Sequence, residues 1–201
     1  RCKTELQASS PGLEIKVESR LGDVVDELKE IAEKTNPLLV VMGTHGSSGL
    51  ERMLFGSNAV SAIKNIKHPV LVVPAQYAYK KIETIVLGAD LSAANESTKY
   101  RLQQTLQLLK GQLHIVHVKT EDEKEAIQPA LVQQLQPLSP IYNTVENNDV
   151  SAGLQQYIHQ VGADLLVVLP HHHSLLDSFF LKLHAKDIVR HADVPVLSLQ
   201  C

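Results

Sequence analysis

Two apolar runs of strand length, separated by a glycine loop and a helical pattern, constrain this chain more than any other feature. The runs are Leu38–Met42 and Val70–Val73. Each has the length of a buried strand. Between them, Val60, Ile63 and Ile66 fall on one face of a helix. The order strand, helix, strand predicts a parallel βαβ crossover.

The glycines of this crossover follow the carboxyl end of a strand, which is where open parallel sheets bind ligands. Gly43 and Gly46 carry no Cβ, so their backbone N–H groups can approach an anion closely. Gly56, Ser57 and Asn58 precede the helix, whose first N–H groups and dipole favour a phosphate. This pattern is compatible with one polyphosphate held between two glycine clusters, and equally with glycines that serve only tight turns.

The spacing Gly-x-x-Gly, nine residues, Gly-Ser resembles the nucleotide-binding signature of the universal stress protein family at every specified position. The flanking segments VVMGTHG and HPVLVVP are also similar to that family. The resemblance implies an α/β fold, Rossmann-like and adenine nucleotide alpha hydrolase-like, with a parallel five-stranded sheet and helices on both faces. It also implies dimers joined through the last strand. The nucleotide-binding residues that it implies are Gly43, Thr44, His45, Gly46, Gly56, Ser57 and Asn58.

The ligand implied by this family is ATP or another adenine nucleotide, and a bound triphosphate usually brings magnesium. His45 lies within the glycine loop, where its ring could contact phosphate or ribose. The loop lacks the lysine of a Walker motif, since Ser47 follows Gly46. No catalytic residues are recognised. The resemblance implies a regulatory or sensing nucleotide-binding protein of the stress response. The alternatives are an interaction scaffold that binds no nucleotide and a slow ATPase.

Composition excludes several partner classes. The net charge is −3 without a basic cluster, which argues against nucleic acid as a partner. No apolar run approaches the roughly 20 residues of a membrane span, and no signal peptide opens the chain. Cys2 and Cys201 do not form a disulfide framework. We therefore expect a cytoplasmic protein without membrane partners.

Strand and helix patterns continue along the rest of the chain. The predicted strands are Leu13–Val17, Leu38–Met42, Val70–Val73, Ile82–Leu87, Leu113–Val118, Tyr142–Val145, Leu165–Leu169 and Val196–Leu199. Asp23 and Asp149 are predicted to cap helices, and a last helix is predicted to include residues 185–191. The predicted apolar helix faces are Val24, Leu28 and Ile31; Leu102, Leu106 and Leu109; and Leu154, Ile158 and Val161.

The two halves of the chain repeat. NPLLVVMG aligns with ADLLVVLP, while Asp23 aligns with Asp149 and Pro69 with Pro195, an offset of 126 residues in both cases. A repeat of this size predicts a duplicated domain. We expect residues 1–76 to form the carboxyl-terminal part of one copy and residues 80–201 to form a second copy. The first strand, helix and second strand of the first copy would then precede Arg1.

The second copy has a different loop at the corresponding position. His171-His172-His173 follows Pro170, where the first copy has its glycine loop, so we expect the second nucleotide site to be lost. His171 and His173 are candidate metal ligands with Asp90 or Asp177, but the favoured interpretation is a polar loop at a strand end without a metal. His114 and His117 are predicted to face opposite sides of their strand and to share no ligand.

The last strands of the two copies, Val70–Val73 and Val196–Leu199, each follow a proline. Dimers of the family that this chain resembles pair these edges antiparallel. Because both edges lie in one chain here, we expect them to pair within it and form a pseudo-dimer, with a homodimer as the alternative. Such pairing would cover two exposed apolar edges.

Overall fold

The computed structural model describes residues 2–10, 12–43, 57–75, 77–88, 96–121, 135–169 and 193–199. Within these residues the chain forms a seven-stranded sheet with helices on both faces. The helices are α1 Cys2–Ser9, α2 Val24–Thr35, α3 Ser57–Asn65, α4 Glu96–Leu109 and α5 Val150–Val161. The strands are β1 Val40–Gly43, β2 Val70–Val73, β3 Thr84–Gly88, β4 Gln112–Lys119, β5 Ile141–Glu146, β6 Leu165–Val168 and β7 Val196–Ser198. A short 3-10 helix, Gln136–Leu138, precedes β5.

The sheet has the strand order β1-β2-β7-β6-β3-β4-β5. Strands β3 to β7 are all parallel, and β1 is parallel to β2, as the crossover pattern predicted. β2 is antiparallel to β7, with Val70 opposite Ser198 and Val72 opposite Val196. The expected antiparallel pairing of these two strands within one chain is therefore confirmed.

Each face of the sheet has its own hydrophobic core. On one face α3 and α5 pack against alternate residues of the strands, with Ile63, Leu154 and Ile158 among the buried side chains. On the other face α4 buries Leu102 and Leu106, which confirms the predicted apolar face of that helix. The alternation of side chains along β2 to β7 supplies both cores, whereas β1 contributes to the first core only and leaves Val41 59% exposed.

The predicted apolar face of α2 is confirmed at Leu28, which packs against the core, and wrong at Val24. Asp23 caps this helix as expected, because its carboxylate accepts hydrogen bonds from the N–H groups of Val25 and Asp26. The buried residues are Val25 and Ala32, whereas Val24 is 45% exposed. Because neighbouring positions on a helix differ by about 100°, this shift turns a different stripe toward the sheet.

The predicted strand at Leu13–Val17 is also wrong, since these residues belong to neither a strand nor a helix. Leu13 is 53% exposed and Val17 is 71% exposed. Alternation alone does not make a strand, because backbone N–H and C=O groups need a neighbouring strand to pair with. The Arg20 guanidinium instead links the end of this segment to Glu27 of α2, with an N–O distance of 3.1 Å.

The strands begin where a backbone hydrogen-bond partner is available, and not where the apolar runs of the sequence begin. β1 begins at Val40, whose N–H donates to the carbonyl of Pro69 at 2.8 Å, while Leu38 is 95% exposed. β3 likewise begins at Thr84, two residues later than predicted. The predicted helix at residues 185–191 lies outside the described part of the chain.

Candidate functional site

The predicted site lies between the carboxyl end of β1 and the first turn of α3. β1 ends at Gly43, which pairs with Val73 of β2. α3 begins at Ser57, and both Ser57 and Asn58 are exposed. The N–H groups of a helix's first turn have no partner within the helix and point along its axis. This end of α3 can therefore donate backbone hydrogen bonds to an anion, and the Ser57 hydroxyl can add another.

Packing fixes the direction of α3. Ala59, Ala62 and Ile63 are buried against the sheet, and Ile66 follows them into the same core. Because this face of the helix is buried against the sheet, the polar first turn of the helix remains at the surface. The small buried residues Ala59 and Ala62 let the helix lie close to the strands.

Three of the seven predicted nucleotide-binding residues fall within the described structure. Gly43, Ser57 and Asn58 mark the two ends of the loop that carries the signature. Thr44, His45, Gly46 and Gly56 lie outside the described residues, and their role stays a prediction.

The corresponding position in the second half follows β6. Val168 of β6 pairs with Gly88 of β3, so these two strands end at neighbouring positions of the sheet. His171, His173 and Asp90 lie outside the described residues, so the alternative of a metal site stays untested. Among the residues that the structure does describe, no cluster of three histidine, cysteine or acidic side chains suits a metal ion.

Gly88 has a packing role instead. A Cβ at this position would lie 2.7 Å from Cδ2 of Leu154 on α5, which is closer than real contacts allow. The glycine therefore lets α5 approach the end of β3. The sequence offered no signal for this contact, because it joins two distant elements.

His114 makes a structural contact. Its Nδ1 lies 2.8 Å from the hydroxyl of Tyr157, and the two rings are tilted with centroids 5.9 Å apart. Burial lowers the pKa of His114, which favours the neutral imidazole. Burial also raises the pKa of the Tyr157 hydroxyl, which therefore stays protonated. This pair holds α5 against β4.

Asp164 is the most connected buried charge among the described residues, and the sequence analysis missed it. Its Oδ2 accepts hydrogen bonds from the backbone N–H groups of Glu83, at 2.8 Å, and Thr84, at 2.9 Å. Its Oδ1 pairs with the ammonium of Lys80. Burial by itself would raise the pKa of Asp164, but the hydrogen bonds from Lys80 and the two N–H groups outweigh burial and lower it. A lone acidic residue before an apolar strand was the available signal.

The helices in the described part of the chain are all too short or too polar to cross a membrane.

The sheet and its two layers of helices allow this chain to be compared with known proteins. The model of the universal stress protein family matches residues 2–74 and 133–199, which together make up more than half of the chain.

Individual relatives give the same result. A universal stress protein of Methanocaldococcus jannaschii is 46% identical over 71 residues, which is 35% of this chain and 42% of that protein. The chain therefore spans less than half the length of this curated relative. The crystal structure of a universal stress protein from Archaeoglobus fulgidus superimposes with a TM-score of 0.74 at 17% identity, covering 99% of this chain and 76% of that one.

A universal stress protein solved in complex with cAMP matches 60% of this chain and 98% of its own, with a TM-score of 0.45 and 20% identity. A likeness at this level is too low for a ligand site to be carried from one protein to the other. The Archaeoglobus structure shows the same fold, and the family model shows the family. The chain belongs to the universal stress protein family.

Proposed function

We propose that this chain binds ATP or a related adenine nucleotide between β1 and α3, and that the nucleotide serves a regulatory or sensing role in a stress response. The observation that carries the proposal is the position of the signature's two ends. Gly43 ends a parallel strand and Ser57 opens the helix of the same crossover. This is the arrangement in which helix N–H groups and a glycine loop hold phosphates.

The proposed interactions divide between the two ends. Gly43 allows the phosphate chain to approach the end of β1 without a Cβ in the way. The first N–H groups of α3 donate to phosphate oxygens, and the Ser57 hydroxyl adds a charge-assisted hydrogen bond. Magnesium would accompany a triphosphate and neutralise part of its charge.

Isothermal titration with ATP and magnesium tests this site through a matched pair of serine variants on one helix. Ser57→Ala should weaken ATP binding roughly tenfold or more, since a hydrogen bond to a charged group contributes about 1.5–3 kcal/mol. Ser61→Ala removes the same hydroxyl one turn further along α3, where it accepts from Asn65 at 3.2 Å, and should leave affinity unchanged. Equal affinities of the two variants would contradict the assignment of Ser57.

A second variant tests the glycine loop. Gly46→Val should abolish ATP binding while the circular dichroism spectrum stays the same, because a β-branched side chain would block the close approach of phosphate. Undiminished affinity in the folded variant would refute the loop's role.

Two further measurements separate the remaining functions. Analysis of nucleotide released from freshly purified, denatured protein distinguishes a nucleotide binder from a scaffold that binds none. Production of ADP over time distinguishes a binder from a slow ATPase. We propose the binder without hydrolysis, because no general base or nucleophile was recognised beside the signature.

We also propose that residues 1–76 and 80–201 are two copies of the family's domain that associate within the chain as a pseudo-dimer. The antiparallel pairing of β2 with β7 supports this arrangement. A monomeric mass in sedimentation equilibrium at micromolar concentration is expected, and a stable homodimer would contradict it. The proposed location is the cytoplasm, which fractionation of cells would test.

A further inference from the structure

The linker between β2 and β3, residues 74–83, has more length than its path requires. In the sheet, β7 and β6 lie between β2 and β3, so the linker crosses three strand spacings, or about 14 Å. The two ends of the linker lie at the same end of the strands, because β2 runs antiparallel to β7 and therefore also to β6 and β3. Ten residues can reach about 33 Å when extended. Chain length alone therefore does not fix the position of the linker.

Asp164 contacts this linker at both of its halves. The Tyr77 hydroxyl donates to the Asp164 carbonyl oxygen at 3.3 Å. The Lys80 ammonium pairs with the carboxylate, which also accepts from the N–H groups at the linker's end. Asp164 itself is only 6% exposed and lies immediately before β6. The buried Asp164 thus contacts the linker at two points between the linker's ends.

The linker follows the seam between β2 and β7, and the pairing of these two strands is short. β2 and β7 are paired over three positions, whereas β4 and β5 are paired over six. Residues at the end of a short ladder open more easily, since fewer hydrogen bonds must break together. A contact that restrains the linker directly after β2 would therefore limit the opening of this seam.

We propose that Asp164 anchors the linker and thereby holds β2 in its pairing with β7. Lys80 and Tyr77 are the two points of the linker that the anchor holds. Fixing the linker reduces the number of conformations open to the chain when β2 separates from β7, so it makes reclosing more favourable. This anchor is independent of nucleotide, and its test needs none.

Native-state hydrogen exchange, read by mass spectrometry on the whole chain without nucleotide, tests the anchor. The double variant Tyr77→Phe/Lys80→Ala removes the linker's side-chain contacts and leaves Asp164 and the core unchanged. Amides of β2 and β7 should exchange about tenfold faster in this variant, which corresponds to about 1.4 kcal/mol. Amides of β4 and β5 should keep their rates.

Lys81→Ala is the matched control. Lys81 is the next residue of the same linker, and its ammonium lies 3.4 Å from Glu83 at the surface, away from Asp164. This variant should exchange like the unaltered protein. Unchanged exchange of β2 and β7 in the double variant would overturn the proposal. Equal acceleration of all strands would also overturn it, because Tyr77 and Lys80 would then stabilise the fold in general and not the pairing of β2 with β7.

Discussion

Replacing Asp164 with asparagine should cost this protein much more stability than its small change in size suggests. The carboxylate accepts backbone N–H groups on Oδ2 and the Lys80 ammonium on Oδ1. In Asp164→Asn one of the two oxygens becomes an NH₂ group, which faces donors and cannot accept from them. A buried hydrogen bond to a charged group contributes about 1.5–3 kcal/mol. The ion pair with half-exposed Lys80 adds about 0–1 kcal/mol.

The expected loss is therefore about 1.5–4 kcal/mol near neutral pH, a substantial part of the roughly 5–15 kcal/mol that stabilises a domain. Its pH dependence follows from the lowered pKa of Asp164. Because the pKa of Asp164 in the folded protein lies below the ordinary value of about 3.9, its contribution to the free energy of unfolding is fully present above that value. It is lost as the pH falls through the lowered folded pKa. The difference between the variant and the unaltered protein should thus narrow below about pH 4.

Urea unfolding followed by circular dichroism, at pH 7 and at several acidic pH values, measures this difference. Asp149→Asn is the matched control. Asp149 is exposed and caps α5 by accepting from the N–H groups of Ser151 and Ala152. Asparagine is an equally good cap, so this variant should change the free energy of unfolding by only a few tenths of a kcal/mol. Equal effects of the two substitutions would refute the reasoning.

Three further predictions concern the interior and the site. Ser198→Ala should leave stability unchanged or raise it by about 1 kcal/mol in urea unfolding, because among the described residues the buried Ser198 hydroxyl has no hydrogen-bond partner. Gly153→Ala should lower the melting temperature, since its Cβ would lie 2.8 Å from Val118 and overpacking costs about 1–3 kcal/mol, more than the roughly 1 kcal/mol gained in helix propensity. Titration with ATP should give one site per chain, and a stoichiometry of two would show that the second half also binds nucleotide.

The crossover around the signature was predictable because its signals are local. β2 has the predicted bounds Val70–Val73, and α3 begins where the glycine-serine pair ends. Asp23 and Asp149 cap α2 and α5 as expected, since a capping side chain needs only the N–H groups two or three residues ahead. The three described residues of the predicted site could be placed on their elements for the same reason.

Predictions failed where an element depended on a distant partner. The alternation at Leu13–Val17 is present in the sequence, but no strand forms without a neighbour to pair with. The face of α2 shifted because the sheet, and not the helix's own pattern, determines which stripe is buried. The role of Asp164 was not predicted from the sequence, because its partners lie about 80 positions earlier in the chain.

The sequence by itself determined most of the elements, two helix caps, the crossover and the signature, because each depends on residues within a few turns of one another. Only the tertiary structure decided the strand order, the register that sets Val70 opposite Ser198, and the contacts between Asp164 and the linker. These depend on which distant segments become neighbours. A hydrogen bond between such segments forms only when packing of the two cores has brought its donor and acceptor within about 3 Å.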